Sequence, residues 1–167
     1  PGVTLPYAAP DVTAAVRLAV EYFVQRGRRR IGYVSLSLEH SLHAELCVAM
    51  DGEIRRHGLQ IEQGFRRVQP RYLDHTGEKE WIEQLIAAPD RPDALLVYNI
   101  ALAQHAAACL ERRGERVGRE MDVIPMYPGP RAQDYAEPWP VLDMNHEEAA
   151  SVASRMLLEA VRRGRAL

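Results

Sequence analysis

Ala94-Leu95-Leu96-Val97-Tyr98-Asn99 is a continuous apolar run that ends on an amide. It does not alternate polar with apolar, so it suits a strand in a sheet covered on both faces, the usual state of parallel sheets. Pro89-Asp90-Arg91-Pro92 stops the chain just before it, and a helical pattern from about Ala101 to Arg113 follows, closed by Gly114. The same strand–helix alternation extends in both directions. Upstream, Ile31-Gly32-Tyr33-Val34 reads as a buried strand and about Glu39 to His57 as a helix capped by Gly58. Phe65 to Val68 is a weaker strand, and Asp74-His75-Thr76 opens a helix carrying Trp81, Ile82, Leu85 and Ile86. Downstream, Asp122 to Tyr127 is a strand with Pro125 as a blemish for a central position, and Val141-Leu142 is a short last strand.

Two helices flank these units. Val12 to Gln25 places Val16, Leu18, Ala19, Tyr22 and Phe23 on one stripe, with Asp11 or Thr13 as its cap and Gly27 as its stop. Asn145 is positioned to cap a last helix from Glu147 to Arg163, apolar at Ala150, Val152, Ala153, Met156, Leu157 and Val161. Repeated strand–helix units predict an α/β fold: an open parallel sheet with right-handed crossovers, flanked by helices.

Composition narrows the function. The 167 residues are 47% hydrophobic and 26% charged, an ordinary globular balance for one α/β domain with a sizeable core. A net charge of -2 lacks the basic excess of a free-standing DNA binder. No apolar run is long enough to span a bilayer, so no membrane partner is expected. Pro1-Gly2-Val3-Thr4 shows neither the basic nor the apolar region of a signal peptide. With no initiating methionine, the start reads as a boundary inside a longer chain. Cys47 and Cys109 both sit in helical patterns and read as buried free thiols of a reducing cytoplasm.

Arg17 to Phe23 followed by Gly27 and Arg30 to Val34, then Pro89 to Asn99, then Arg113 to Val123, resemble three segments of LacI/GalR-family transcription regulators, in that family's order and spacing. The resemblance implies one of two periplasmic-binding-protein-like lobes (type I) that hold an effector between them. Residues 30–143 would form the C-terminal lobe, residues 1–29 the crossover from an N-terminal lobe, and residues 144–167 the return helix. The N-terminal lobe and a helix-turn-helix that reads operator DNA would lie upstream, outside this chain. A cytoplasmic homodimer, a repressor by class, follows from the same resemblance, with no enzymatic activity.

The family's pocket residues carry over sparsely. Its sugar-binding arginine falls on Leu46, its acidic pair on Tyr127 and Pro128, its strand-end Asn-Asp pair on Asn99-Ile100, and its glutamine on Met144. Its crossover-helix aspartate is kept as Asp11. Directed, charge-assisted contacts to sugar hydroxyls are thereby thinned out. The effector is open among a sugar, a less polar metabolite and none at all.

In an open parallel sheet, ligands bind beyond the carboxyl ends of the strands. Candidate ligand-binding residues at or near those ends are Asn99, Tyr127, Glu39, His43 and Asn145, and the resemblance adds Asp11. Asn99 serves equally well as a ligand amide or as a helix cap. Glu39, His40 and His43 form a polar cluster that lacks a further metal ligand nearby, and read as pocket contacts or a solvated helix start. His146-Glu147-Glu148 lacks the second histidine of a zinc-protease motif and reads as an acidic helix start. Trp81 is placed in the core. Trp139, between two prolines, is placed in a loop on the cleft side, free to stack on a ring or to pack. Neither a phosphate-binding glycine loop nor a nucleophile elbow is present. No cofactor, metal or catalytic residue is expected. Two rival readings share the fold: an extracytoplasmic solute-binding protein and a stand-alone α/β enzyme.

Overall fold

The computed structural model describes residues 7–35, 41–68, 77–127 and 139–163. The elements run α1 (Val12–Gln25), β1 (Ile31–Ser35), α2 (Ser41–Arg56), β2 (Arg66–Val68), α3 (Glu78–Ala87), β3 (Ala94–Val97), α4 (Ile100–Glu111), β4 (Asp122–Tyr127), β5 (Leu142–Asp143) and α5 (His146–Arg162). The strands form one parallel sheet in the order β2-β1-β3-β4-β5. The α/β open parallel sheet expected from the strand–helix repeat is therefore the observed architecture.

Successive strand residues alternate between the two faces, and two cores result. Tyr33, Leu96, Ile124 and Met126 pack beneath α1 and α2. Val34, Leu95, Val97 and Val123 pack beneath α3 and α4. Because each face is covered, β1 and β3 are buried along their whole length. Cys47 and Cys109 are free and buried.

Close backbone approach fixes the start of the sheet. A Cβ on Gly32 would stand 2.9 Å from the Phe65 carbonyl oxygen, so only glycine lets the turn at Gln63–Phe65 lie against β1. Pro125 also has a local reason. Asp122 donates its N–H to the Asp93 carbonyl on the β3 side. Alternation then turns the Pro125 nitrogen toward β5, which pairs only from Met126 onward. No ladder hydrogen bond is lost there.

Several expectations shift. Leu18, assigned to the buried stripe of α1, is 62% exposed. The start of α2 is Ser41, and Glu39 and His40 lie outside the described residues, as do Asp74 to Thr76; the described part of α3 begins at Glu78 after Gly77. Most notably, no residue of α5 is buried: Leu157, Leu158 and Val161 face outward from the sheet.

Candidate functional site

The carboxyl edge of the sheet carries a connected group of buried polar side chains. Ser35, the last residue of β1, lies with its Oγ 3.0 Å from Nδ1 of His43, and both residues are buried. His43 comes from the first turn of α2, which starts above β1. Its ring meets Tyr98 edge-on, with centroids 6.0 Å apart and planes at 85°. Tyr98, just past the end of β3, donates its hydroxyl to Glu78 Oε1. Glu78 opens α3 and is only 4% exposed. A buried carboxylate needs a donor, and the phenol supplies one. Burial and then the Glu78 carboxylate push the Tyr98 hydroxyl well above the ordinary tyrosine range, so it remains a neutral donor.

A cavity of about 570 Å³ opens on this group, bounded by Gly77, Glu78, Lys79, Tyr98, Asn99 and Leu102. It lies where the N-termini of α3 and α4 converge at the end of β3. Asn99 sits in its wall, but the Leu102 N–H donates to Asn99 Oδ1 at 2.8 Å. The amide oxygen is thus engaged as a helix cap and the amide also hydrogen-bonds the Tyr98 hydroxyl, which leaves one N–H of the amide nitrogen to address a ligand.

A second cavity of about 550 Å³ lies where the incoming and outgoing segments run side by side, between Tyr7–Asp11 and Met144–Asn145. Asp11 and Asn145 meet there. Asp11 Oδ1 accepts the Ala14 N–H at 2.8 Å and so caps α1. Asn145 occupies the cap position of α5 in a left-handed conformation (φ 48°), yet its side chain makes no capping hydrogen bond. Its backbone N–H instead donates to Asp143 Oδ1 at 2.8 Å.

The expected residues therefore fall into two groups. His43 and Asn99 belong to the polar group at the strand ends, whereas Asp11 and Asn145 belong to the crossing of the two connecting segments. Tyr127 closes β4 at the same edge, with its side chain outside the described residues, as is Glu39. Glu78 and Tyr98 were not singled out from sequence. Glu78 belongs to no motif in the sequence, and Tyr98 reads as the last apolar residue of a strand. The one available signal was the hydroxyl of Tyr98 directly before a strand-end amide. Trp139 is a correction: it borders a cavity with Ala107, Glu111, Gly114 and Val117, at the far end of α4 from Asn99 and away from the cleft edge.

An open parallel sheet with helices on both faces and a polar cavity at its carboxyl edge defines a lobe of the type I periplasmic-binding-protein class. The sequence profile of the periplasmic binding protein-like domain matches residues 20–166, and the chain belongs to that family. Among solved structures, the chain is similar to a regulatory protein of the LacI family from Chloroflexus aggregans (23% identity, TM-score 0.78, 99% of this chain). It is also similar to the transcription regulator CcpA of Lactococcus lactis (15%, 0.76, 95%) and to a LacI transcriptional regulator from a Rhodococcus species (22%, 0.66, 88%). It spans 59%, 56% and 55% of those three chains, respectively. No curated protein matches the sequence.

Proposed function

We propose that this chain is the C-terminal effector-binding lobe of a LacI-type transcription regulator that acts as a homodimeric repressor in the cytoplasm. The observation that carries the reading is the cavity at the carboxyl edge of the sheet, lined by Glu78, Tyr98 and Asn99, at the edge over which the second lobe of such a regulator would close. Residues 30–143 form the lobe, residues 1–29 enter from an N-terminal lobe, and residues 144–167 return to it. An upstream helix-turn-helix reads operator DNA. No step of the proposal requires catalysis.

The effector class follows from the lining. A buried carboxylate accepts hydrogen bonds, and an amide nitrogen donates one. That combination suits a small metabolite with hydroxyl or amino groups. Ligand-driven closure biases the regulator toward one DNA-binding state in proportion to the ligand's differential affinity for the two states.

The test is ligand screening by thermal shift on the full-length protein, followed by operator binding in a mobility-shift assay. A ligand that stabilises the protein should change operator affinity. Glu78→Gln should weaken that ligand by more than about tenfold, as expected when a charge-assisted hydrogen bond worth on the order of 1.5–3 kcal/mol is lost. A full-length protein that does not bind double-stranded DNA would overturn the regulator reading.

A further inference from the structure

A second cluster stands between α3 and α4, on residues that line none of the cavities above. His105 and Cys109 lie one turn apart on α4 and face Glu83 of α3. One ligand atom from each of the three lies within 4.8 Å of the other two. His105 Nε2 is buried and 3.2 Å from Glu83 Oε1, yet makes no hydrogen bond. Cys109 is buried, and its Sγ accepts a hydrogen bond from Arg112 Nη2 at 3.2 Å. The same guanidinium nitrogen reaches Glu83 Oε1 at 3.3 Å. A cation thus already occupies the mouth of a nitrogen–sulfur–oxygen donor set.

We infer that Glu83, His105 and Cys109 form a binding site for a divalent transition-metal ion of the zinc class, gated by Arg112. Imidazole, thiolate and carboxylate are the donors such ions take, at about 2.0–2.3 Å each, which sets tetrahedral neighbours roughly 3.3–3.8 Å apart. His105 Nε2 and Glu83 Oε1 already stand 3.2 Å apart, and no pair of donor atoms in the set is more than 4.8 Å apart, so the set has to draw in by about 1 Å at most. Three protein ligands leave the fourth position to water. On binding, the Cys109 thiol loses its proton to solvent as the sulfur–metal bond forms, and His105 ligates through its neutral Nε2. Arg112, with a side chain 61% exposed, swings into solvent as the metal takes over its charge-balancing place. The bound ion ties α3 to α4, the two helices whose N-termini frame the effector cavity. The site stands whether or not the lobe belongs to a repressor.

Co²⁺ is the probe, added to the full-length protein under reducing conditions and followed by absorbance. The expected result is a thiolate-to-cobalt charge-transfer band, displaced by Zn²⁺. Cys109→Ser should abolish the band and Cys47→Ser should retain it. His105→Gln and Glu83→Gln change partly exposed side chains and should leave the circular dichroism spectrum unchanged. Each should weaken Co²⁺ binding more than about tenfold, since even outer-shell changes cost roughly 10- to 100-fold. Arg112→Gln should tighten binding by removing the competing cation. A protein without the band, a band that survives Cys109→Ser, or an affinity indifferent to His105→Gln and Glu83→Gln would each overturn the site.

Discussion

Asp122 shows how much of the lobe rests on one buried carboxylate. It is 2% exposed and accepts Arg26 Nε at 3.1 and 2.9 Å and Arg28 Nε at 2.6 Å. Those arginines extend past Gly118 and Arg119, whose carbonyls they also engage, so the carboxylate joins the end of α1 to the start of β4. Removing one partner of a buried pair leaves the others uncompensated. Asp122→Ala should cost on the order of 3 kcal/mol, read as a lower urea midpoint at unchanged slope. A change within 0.5 kcal/mol, roughly the surface-substitution range, would show that the arginines find other partners. Glu115 gives a pH-dependent counterpart. The Arg91 guanidinium, 2.7 Å away, holds its carboxyl below the ordinary 4.5. A depressed carboxyl contributes stability that is present above its unfolded value and lost as pH falls through the folded value. Glu115→Gln should therefore lower stability at neutral pH and flatten the loss of stability between about pH 5 and pH 3. Acid titrations of the two proteins that run parallel would exclude this residue as a contributor.

At the scale of the element, the helices and strands follow their sequence patterns because local physics and tertiary packing agree. β1 and β3 are apolar throughout and buried throughout; Gly58 ends α2 with φ +71° and the Leu59 N–H bonded back to the Ile54 carbonyl. The site was less legible. Asn99 and His43 could be placed at the carboxyl edge of the sheet because strand-end and helix-start positions are fixed by the element order. Glu78 could not, since its burial depends on Tyr98 reaching across from another element to meet it. Leu18 marks the same limit in the other direction: helical periodicity names an apolar stripe but not how wide a strip the neighbour covers. Gly32 tests the element most directly. Its missing side chain admits the Phe65 carbonyl, a backbone atom that cannot rotate away. Gly32→Ala should destabilise by about 1–3 kcal/mol, the usual cost of overpacking. Amide exchange should quicken in β2 and at Gln63–Phe65 before it does in β3. Equal protection across the sheet would show that β2 accommodates the methyl group by sliding.

For the whole molecule, the informative surface is α5. Its seventeen residues are amphipathic in sequence, with acidic Glu147 and Glu148 favouring its N-terminus through the helix dipole. An apolar stripe on a helix normally exists because something covers it, and contiguous exposed apolar patches mark interaction surfaces. Here Leu157 is 47%, Leu158 55% and Val161 65% exposed, while both cores of the lobe are complete without them. In the proposed architecture, α5 returns to the N-terminal lobe and is buried there, so its stripe contributes to the joining of the lobes and not to the stability of this one. The prediction is a split result. Leu158→Asp together with Val161→Asp should change the unfolding free energy of the 167-residue chain by no more than roughly 0.5 kcal/mol per site, as exposed positions do. In the full-length protein the same pair should lower the melting temperature clearly, because each buried Leu or Val contributes about 1.5–3 kcal/mol. Indifference in both would mean that the stripe is solvated in the complete protein and that the chain's return path lies elsewhere. Strong destabilisation in both would place α5 inside the fold of this lobe.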